Sequence, residues 1–195
     1  MPVYTEGELE DFGFAALGKN VRLSRKASLH NPAKIAIGDN SRIDDFCVLS
    51  AGEGGIHIGR HVHIAVYVAL IGKGKITIED FVGLSSRVAV YSSNDDYSGE
   101  WLTGPTLSPA FTNIISAPVR VGRHVVVGAG SVILPGVSLE EGAIVGALSL
   151  VNKDCESFGM YAGVPAKYLK ARSRRLLELE AALAGRQDPA SGEDG

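Results

Sequence analysis

From Val121 to Val151 an aliphatic side chain recurs at every sixth position: Val121, Val127, Ile133, Leu139, Val145 and Val151. Four residues after each stands another small or β-branched residue: Val125, Ser131, Val137, Ala143, Ser149 and Cys155. A helix repeats every 3.6 residues and a strand every second one, so neither produces a strict beat of six. A chain that turns one corner per hexapeptide does produce it, closing a three-sided coil with every three repeats. The spacing therefore predicts an all-β parallel β-helix.

The same beat runs upstream with interruptions. Ile37, Ile43 and Leu49 form one run, Ile58, Ile64 and Leu70 the next, and Ile78, Leu84 and Val90 a third. The gaps between runs are nine residues (49 to 58) and eight (70 to 78), which reads as small bulges at corners. From Val90 to Val121 the gap is 31 residues, so 25 are extruded as one long loop, and an excursion of that length is commonly functional. The expected organisation is a lead-in over 1–20 with a helical turn near Glu8–Phe12, then a coil over 21–160 with an irregular start marked by Val21, Ala27 and Ile35. The loop insertion spans 91–118. An exit segment and C-terminal helix occupy 161–185, the helix capped by Ser173 and carrying Leu176, Leu177, Leu179, Ala182 and Leu183 as an apolar stripe, and 186–195 form a disordered tail. Arg174 and Arg175 sit at the end of that helix where the dipole disfavours cations.

The 195 residues carry a formal charge of −3, which gives nucleic acid no basic field to bind. The first residues hold no basic, then apolar, leader, and no apolar run approaches the length of a membrane span, so cytoplasm is the expected compartment. The two cysteines, Cys47 and Cys155, fall at fourth-after positions and read as small buried hydrophobes rather than a disulfide or a nucleophile.

The segment Val119–Val137, with Val-Gly-Arg-His-Val-Val-Val-Gly-Ala-Gly-Ser at its centre, continues into Val145-Gly-Ala-Leu-Ser-Leu-Val-Asn-Lys-Asp and Ala162-Gly-Val-Pro-Ala-Lys. On these motifs, over about residues 20–170, the chain resembles the hexapeptide-repeat acyltransferases. Val62-His63-Ile64-Ala65, Gly83-Leu84-Ser85-Ser86 and Asn94-Asp95-Asp96-Tyr97-Ser98-Gly99 make it most similar to the O-antigen and nucleotide-sugar acetyltransferases. The resemblance implies a left-handed β-helix and acetyl-CoA as co-substrate without a metal. It implies a sugar or nucleotide-sugar acceptor, and a homotrimer with active sites between neighbouring prisms. It also implies that small-residue corners at Ala129, Gly130, Ala147 and Ser149 hold the pantetheine arm through backbone groups. Asn152 and Lys153 would contact the pantetheine and phosphate region, and Lys167 and Lys170, with Arg172, the adenosine phosphates.

One departure stands out. The galactoside and maltose members of that family place a catalytic histidine at the start of the long loop, where this chain has Asp95 beside Asn94, and the 91–118 loop contains no histidine. Acyl transfer to a hydroxyl or amine needs a proton acceptor, donors for the oxyanion and alignment of both substrates. His63 follows the inward Val62 and is the candidate base; a His63–Asp95 or His63–Asp96 pair across a subunit interface would serve either acceptor. His57, His61 and His124 are lesser candidates and His30 reads as structural. Asn94, Asp95 and Asp96 also suit turn chemistry. Trp101 and Phe111 would pack on a sugar face or, as the favoured reading, anchor the loop on a neighbouring subunit. Two alternatives remain on the same residues: a γ-type carbonic anhydrase with zinc held by three histidines, and a non-catalytic trimeric scaffold.

Overall fold

In the computed structural model, which describes residues 1–184, the chain winds through six full triangular turns and begins a seventh. After α1 (Glu6–Glu10) the first turn is β1 (Ala16–Leu17), β2 (Arg22–Leu23) and β3 (Ser28–His30). The second is β4 (Ile35–Ile37), β5 (Arg42–Ile43) and β6 (Val48–Ala51). The third is β7 (Ile56–Ile58), β8 (His63–Ile64) and β9 (Ala69–Gly72), and the fourth is β10 (Ile76–Ile78), β11 (Gly83–Leu84) and β12 (Ala89–Tyr91). An antiparallel ribbon, β13 (Ser93–Asp95) with β14 (Ile114–Ser116), then leaves the coil. The fifth turn is β15 (Val119–Val121), β16 (Val126–Val127) and β17 (Val132–Ile133); the sixth is β18 (Ser138–Leu139), β19 (Ile144–Val145) and β20 (Leu150–Val151). Finally β21 (Gly159–Ala162) folds back on β22 (Lys167–Ala171) ahead of α2 (Arg175–Ala184).

Equivalent strands of successive turns stack into three parallel sheets. Sheet 1 runs β1-β4-β7-β10-β15-β18, sheet 2 runs β2-β5-β8-β11-β16-β19-β21-β22, and sheet 3 runs β3-β6-β9-β12-β17-β20. The six-beat residues fill the interior: Ile43, Leu49, Ile64, Leu70, Val90, Val121, Val127, Ile133 and Leu139 are all at 0% exposure. Deleting one such side chain to alanine would cost about 2–5 kcal/mol. Serines at inward positions survive there because each is paired: the Ser131 hydroxyl donates to Gly146 O at 2.9 Å and accepts from Ser149 N at 3.1 Å.

Most corners are sharpened by one left-handed residue. Between sheets 2 and 3 these residues are Phe46, Tyr67, Arg87, Gly130 and Leu148; between sheets 1 and 2 they are Asn20, Asn40, His61, Phe81, His124, Gly142 and Phe158. A bulky residue tolerates that conformation only when its surroundings impose it. Here the backbone of the previous turn does so, through bonds such as Tyr67 N to Asp45 O at 3.1 Å and Arg87 N to Val66 O at 3.0 Å. Side chains at these positions point out of the corner and stack, Phe46 on Tyr67 at 5.0 Å and His61 on Phe81 at 4.9 Å.

Three expectations need correction. The coil begins before residue 21: β1 pairs β4 through Ala16↔Ala36, and the first turn is regular, with Leu17, Leu23 and Leu29 keeping the beat of six. Val21 and Ala27 are its fourth-after positions. The N-terminal helix is Glu6–Glu10 rather than Glu8–Phe12, because Thr5 and Glu8 form a capping box. In α2 the stripe is not buried as a unit; Leu179 and Leu183 are exposed. That helix is held by charge instead. The Glu180 carboxylate bonds Arg123 and takes the His124 ring at 2.7 Å, and Arg172 Nη1 donates to the His124 and Gly142 carbonyls at 2.7 and 3.0 Å. Arg174 lies 4.5 Å over the Phe158 ring, which explains a cation at the helix start. Ser173 accepts from Arg175 N at 3.3 Å, as a cap would. The expected 186–195 tail lies outside the described residues.

Candidate active site

The outward column of sheet 2 reads Arg22, Arg42, His63, Gly83, Val126, Ile144 and Met160, one residue per turn. His63 stands in it on β8, half exposed, and its Nε2 is 2.9 Å from Asp44 Oδ2. Asp44 is only 6% exposed and takes a second bond, from Arg42 Nε at 2.6 Å. Burial alone would raise the Asp44 carboxyl, but the hydrogen bonds from His63 and Arg42 outweigh it and hold the group below its ordinary value. A histidine oriented by a buried carboxylate is the arrangement a general base needs.

Asp44 lies outside the candidates that the sequence offers. The signal was there, because the position just after each sheet 2 beat reads Ser24, Asp44, Ala65, Ser85, Gly128 and Gly146 down the coil. One carboxylate in a column of small residues, one turn before a histidine, is conspicuous once the column is drawn. His63 also borders a cavity of about 380 Å³, shared with Ala65, Gly83, Leu84, Ser85, Ser86 and Val126.

Asn94 and Asp95 lie elsewhere. They belong to β13, with Asn94 opposite Ile115 and Asp95 opposite Ile114, and border a separate cavity of about 600 Å³ with Tyr91, Tyr97 and Leu134. Within one chain the carboxylate beside His63 is thus Asp44, not Asp95 or Asp96. Asp96 does turn work: its oxygens accept from Ser98 N and Asn113 Nδ2, both at 2.7 Å, and the Ser98 and Asn113 bonds keep its carboxyl below the ordinary value.

The expected cofactor residues divide into three groups. Ala129, Gly130 and Ala147 share the corner between sheets 2 and 3. Among the described residues the amide N–H groups of Ser86, Ala129 and Ala147 have no hydrogen-bond partner, so this corner presents a row of free donors. Gly130 is left-handed, and a Cβ on it would lie 2.8 Å from Leu148 Cδ2. Ser149 departs from the expectation. It is 2% exposed, and its amide, carbonyl and hydroxyl all bond inside the coil, to Ser131, Val132, Gly146 and Gly163, so it builds the corner instead of facing a ligand. Asn152 and Lys153 are exposed at the following corner, after sheet 3, and one chain does not bring them beside Ala129 and Ala147. Lys167 and Lys170 are exposed on β22, opposite Ala162 and Met160.

The other histidines part company. His57 is on sheet 1, His61 stacks on Phe81 at a corner, and His63 is on sheet 2, so the three do not converge within a chain. Among the described residues no group of three or more His, Cys, Asp or Glu side chains could hold a metal ion. His124, 8% exposed, stacks on Phe81 at 5.0 Å and is spent on Glu180. Both cysteines are buried, and desolvation pushes each thiol up to about 11. The loop leaves Trp101, Leu102, Phe111, Ile114 and Ile115 exposed. No helix among the described residues is long and apolar enough to cross a membrane.

Comparison with known proteins agrees with this geometry. Residues 118–147 match the family model described as the hexapeptide repeat of succinyl-transferase. The dTDP-4-amino-4,6-dideoxy-D-glucose acyltransferase of Escherichia coli is 52% identical over 92% of this chain and 94% of its own. The lipopolysaccharide biosynthesis O-acetyl transferase WbbJ of Escherichia coli K12, assigned as putative, is 27% identical over 78% and 80%. Among solved structures, a variant of AntD, an N-acyltransferase from Bacillus cereus in complex with dTDP and coenzyme A, superposes with a TM-score of 0.92 at 43% identity, covering 95% of this chain and all of that one. A three-sided coil with a His–Asp pair beside a corner of free amides, and a relative this similar over nearly its whole length, place the chain in the family of hexapeptide-repeat acyltransferases.

Proposed function

We propose that this protein transfers an acyl group from a coenzyme A thioester to the amino group of a nucleotide-linked deoxysugar. The observation that carries the proposal is one edge of the prism. The free amides of Ala129, Ala147 and Ser86 run along the corner of sheets 2 and 3 and lead into the cavity where His63, Ser85 and Ser86 meet. A pantetheine arm bonded along that corner delivers its thioester to the cavity. Two relatives support the acceptor class: the Escherichia coli enzyme named for dTDP-4-amino-4,6-dideoxy-D-glucose, and AntD, solved with dTDP-4-amino-4,6-dideoxyglucose and coenzyme A.

In the reaction the sugar nitrogen attacks the thioester carbon. The carbon–sulfur bond breaks as the oxyanion collapses, the nitrogen loses a proton, and the thiolate leaves as coenzyme A thiol. Ser85, Ser86 and the Ser86 amide, which border this cavity, supply the donors for the developing oxyanion. His63, oriented by Asp44, takes the proton from nitrogen and returns it to the departing thiolate. Asp95 takes a second role in this proposal, holding the sugar amine from a neighbouring subunit. AntD has been solved as variants at an aspartate and at a serine ten positions before it, the spacing of Asp95 and Ser85 here. A homotrimer fits the exposed Leu102, Phe111, Ile114 and Ile115 of the loop, which closed symmetry would cover. The work belongs in the cytoplasm, where coenzyme A thioesters and nucleotide sugars occur together.

The test is thiol release from acetyl-CoA across nucleotide-linked amino sugars and plain glycosides, for wild type, His63→Ala and Asp95→Asn. Turnover with a dTDP-linked amino sugar, with kcat lowered about 100-fold or more in His63→Ala, is the expected result. Turnover only with plain glycosides would overturn the acceptor assignment, and full activity of His63→Ala would remove that residue as base.

A further inference from the structure

Glycines in this coil have visible reasons. At Gly38, Gly52, Gly54, Gly59, Gly122 and Gly128 an added Cβ would lie within 3.0 Å of the neighbouring turn, and Gly55, Gly130, Gly136 and Gly142 have positive φ. Gly83 has neither. Its φ is ordinary, and a Cβ there would meet only Val126 Cγ2 at 3.9 Å and Cγ1 at 4.0 Å, an ordinary contact. It sits inside β11, where glycine weakens a strand, and it is the one residue of its outward column without a side chain. The absence of that side chain leaves a notch between His63 on one turn and Val126 on the other, within the 380 Å³ cavity.

We infer that this notch seats the acyl chain of the thioester, that it admits chains longer than acetyl, and that Gly83 sets the permitted length. The inference rests on the acyl-transfer reading and specifies its donor. The row of free amides, which continues at this corner to Val66 and Asp45, passes Ser86 on the edge of the cavity, so a thioester held at Ser86 places the group beyond it beside sheet 2 at Gly83. Within the lining, Gly83, Leu84 and Val126 form an apolar wall that offers no side-chain donor, whereas the His63 ring and the hydroxyls of Ser85 and Ser86 supply the polar groups. A sugar would leave its hydroxyls unpaired against that wall; a short hydrocarbon chain would not. AntD has been solved with 3-hydroxybutyryl-CoA, a four-carbon thioester.

The experiment compares kcat/KM for acetyl-CoA and butyryl-CoA in wild type, Gly83→Ala and Gly83→Val, with melting temperatures for all three. Wild type should use butyryl-CoA. The butyryl-to-acetyl ratio should fall at least about tenfold in Gly83→Val and by less in Gly83→Ala, the scale at which pockets discriminate one or two methylenes. Melting temperature should hold or rise, since a β-branched residue suits β11 better than glycine. An unchanged ratio would overturn the inference, as would a Gly83→Val effect confined to the KM of the sugar or to loss of the oligomer. Failure of the acyl-transfer reading would look different, with no thiol release from wild type and any thioester. Calorimetric titration of butyryl-CoA against free coenzyme A would then decide the notch. A binding advantage of the butyryl group that Gly83→Val abolishes supports it, and equal binding in both proteins overturns it.

Discussion

Asp44→Asn separates catalysis from structure at the His63 pair. Asparagine fills the same volume but carries no charge, and its amide cannot accept from both Arg42 and His63 as the carboxylate does, at 2.6 and 2.9 Å. Hydrogen bonds to a charged group contribute roughly 1.5–3 kcal/mol when shielded. Arg42 and His63 have side chains 45% and 53% exposed, which screens both interactions. The expected destabilisation is therefore about 1–2 kcal/mol, or roughly 2–8 °C in melting temperature for a chain of this size. The rate should suffer far more, because without Asp44 the imidazole loses the partner that fixes its tautomer and angle. A fall in kcat of about 10²–10⁴ is expected, with KM for the sugar little altered. Thiol release followed from pH 5 to 9, beside thermal melts, reads both effects. The folded Asp44 carboxyl lies below its unfolded value of about 3.9, so its stabilisation is full above that pH and fades as pH falls through the folded value. The melting gap between wild type and variant should accordingly close in acid. A variant that loses stability but keeps kcat within threefold across the pH range would refute the role of the pair.

Two further outcomes follow from the same structure. Cys47 and Cys155, both buried with thiols pushed up to about 11, should resist a thiol reagent at pH 8 in the native protein and react together on unfolding; prompt native labelling would contradict the buried placement. Glu180→Ala removes the carboxylate that joins α2 to Arg123 and His124. Faster hydrogen exchange confined to α2, with the sheets still protected, is expected, and uniform loss of protection would show that the helix supports the coil itself.

The architecture was legible because its period is exclusive. No other common element places aliphatic side chains six apart for 31 residues, and every one of those positions from Val121 to Val151 is buried. The first turn is harder to see because Val21 and Ala27, which mark an irregular start in the sequence, are the fourth-after neighbours of Leu17 and Leu23, so the coil begins several residues before them. His63 is legible because it abuts an inward valine. Asp44 is not, since it precedes His63 by 19 residues and becomes a neighbour only when successive turns are stacked. Ser149 shows the converse difficulty. The family resemblance makes this small corner residue a ligand contact, and only the hydrogen bonds show that all its polar groups are already used. The division of Ala129 and Ala147 from Asn152 and Lys153 onto two corners is likewise a property of winding, which no linear motif displays.

The ribbon of β13 and β14 bears on how the coil assembles. Stacked turns pair residues about 20 apart in sequence, Ile56 with Ile76 for example, except where the chain crosses the excursion and Ile76 must find Val119, 43 residues away. Doubling a closure length adds only about 0.6 kcal/mol of entropy. The ribbon removes most of even that, because Ser93 paired with Ser116 returns the chain to within a few residues of where it left. To the growing stack, the fifth turn arrives as though it directly followed the fourth. The tip of the excursion is thereby freed from the demands of folding, and its sequence can answer to whatever surface it meets.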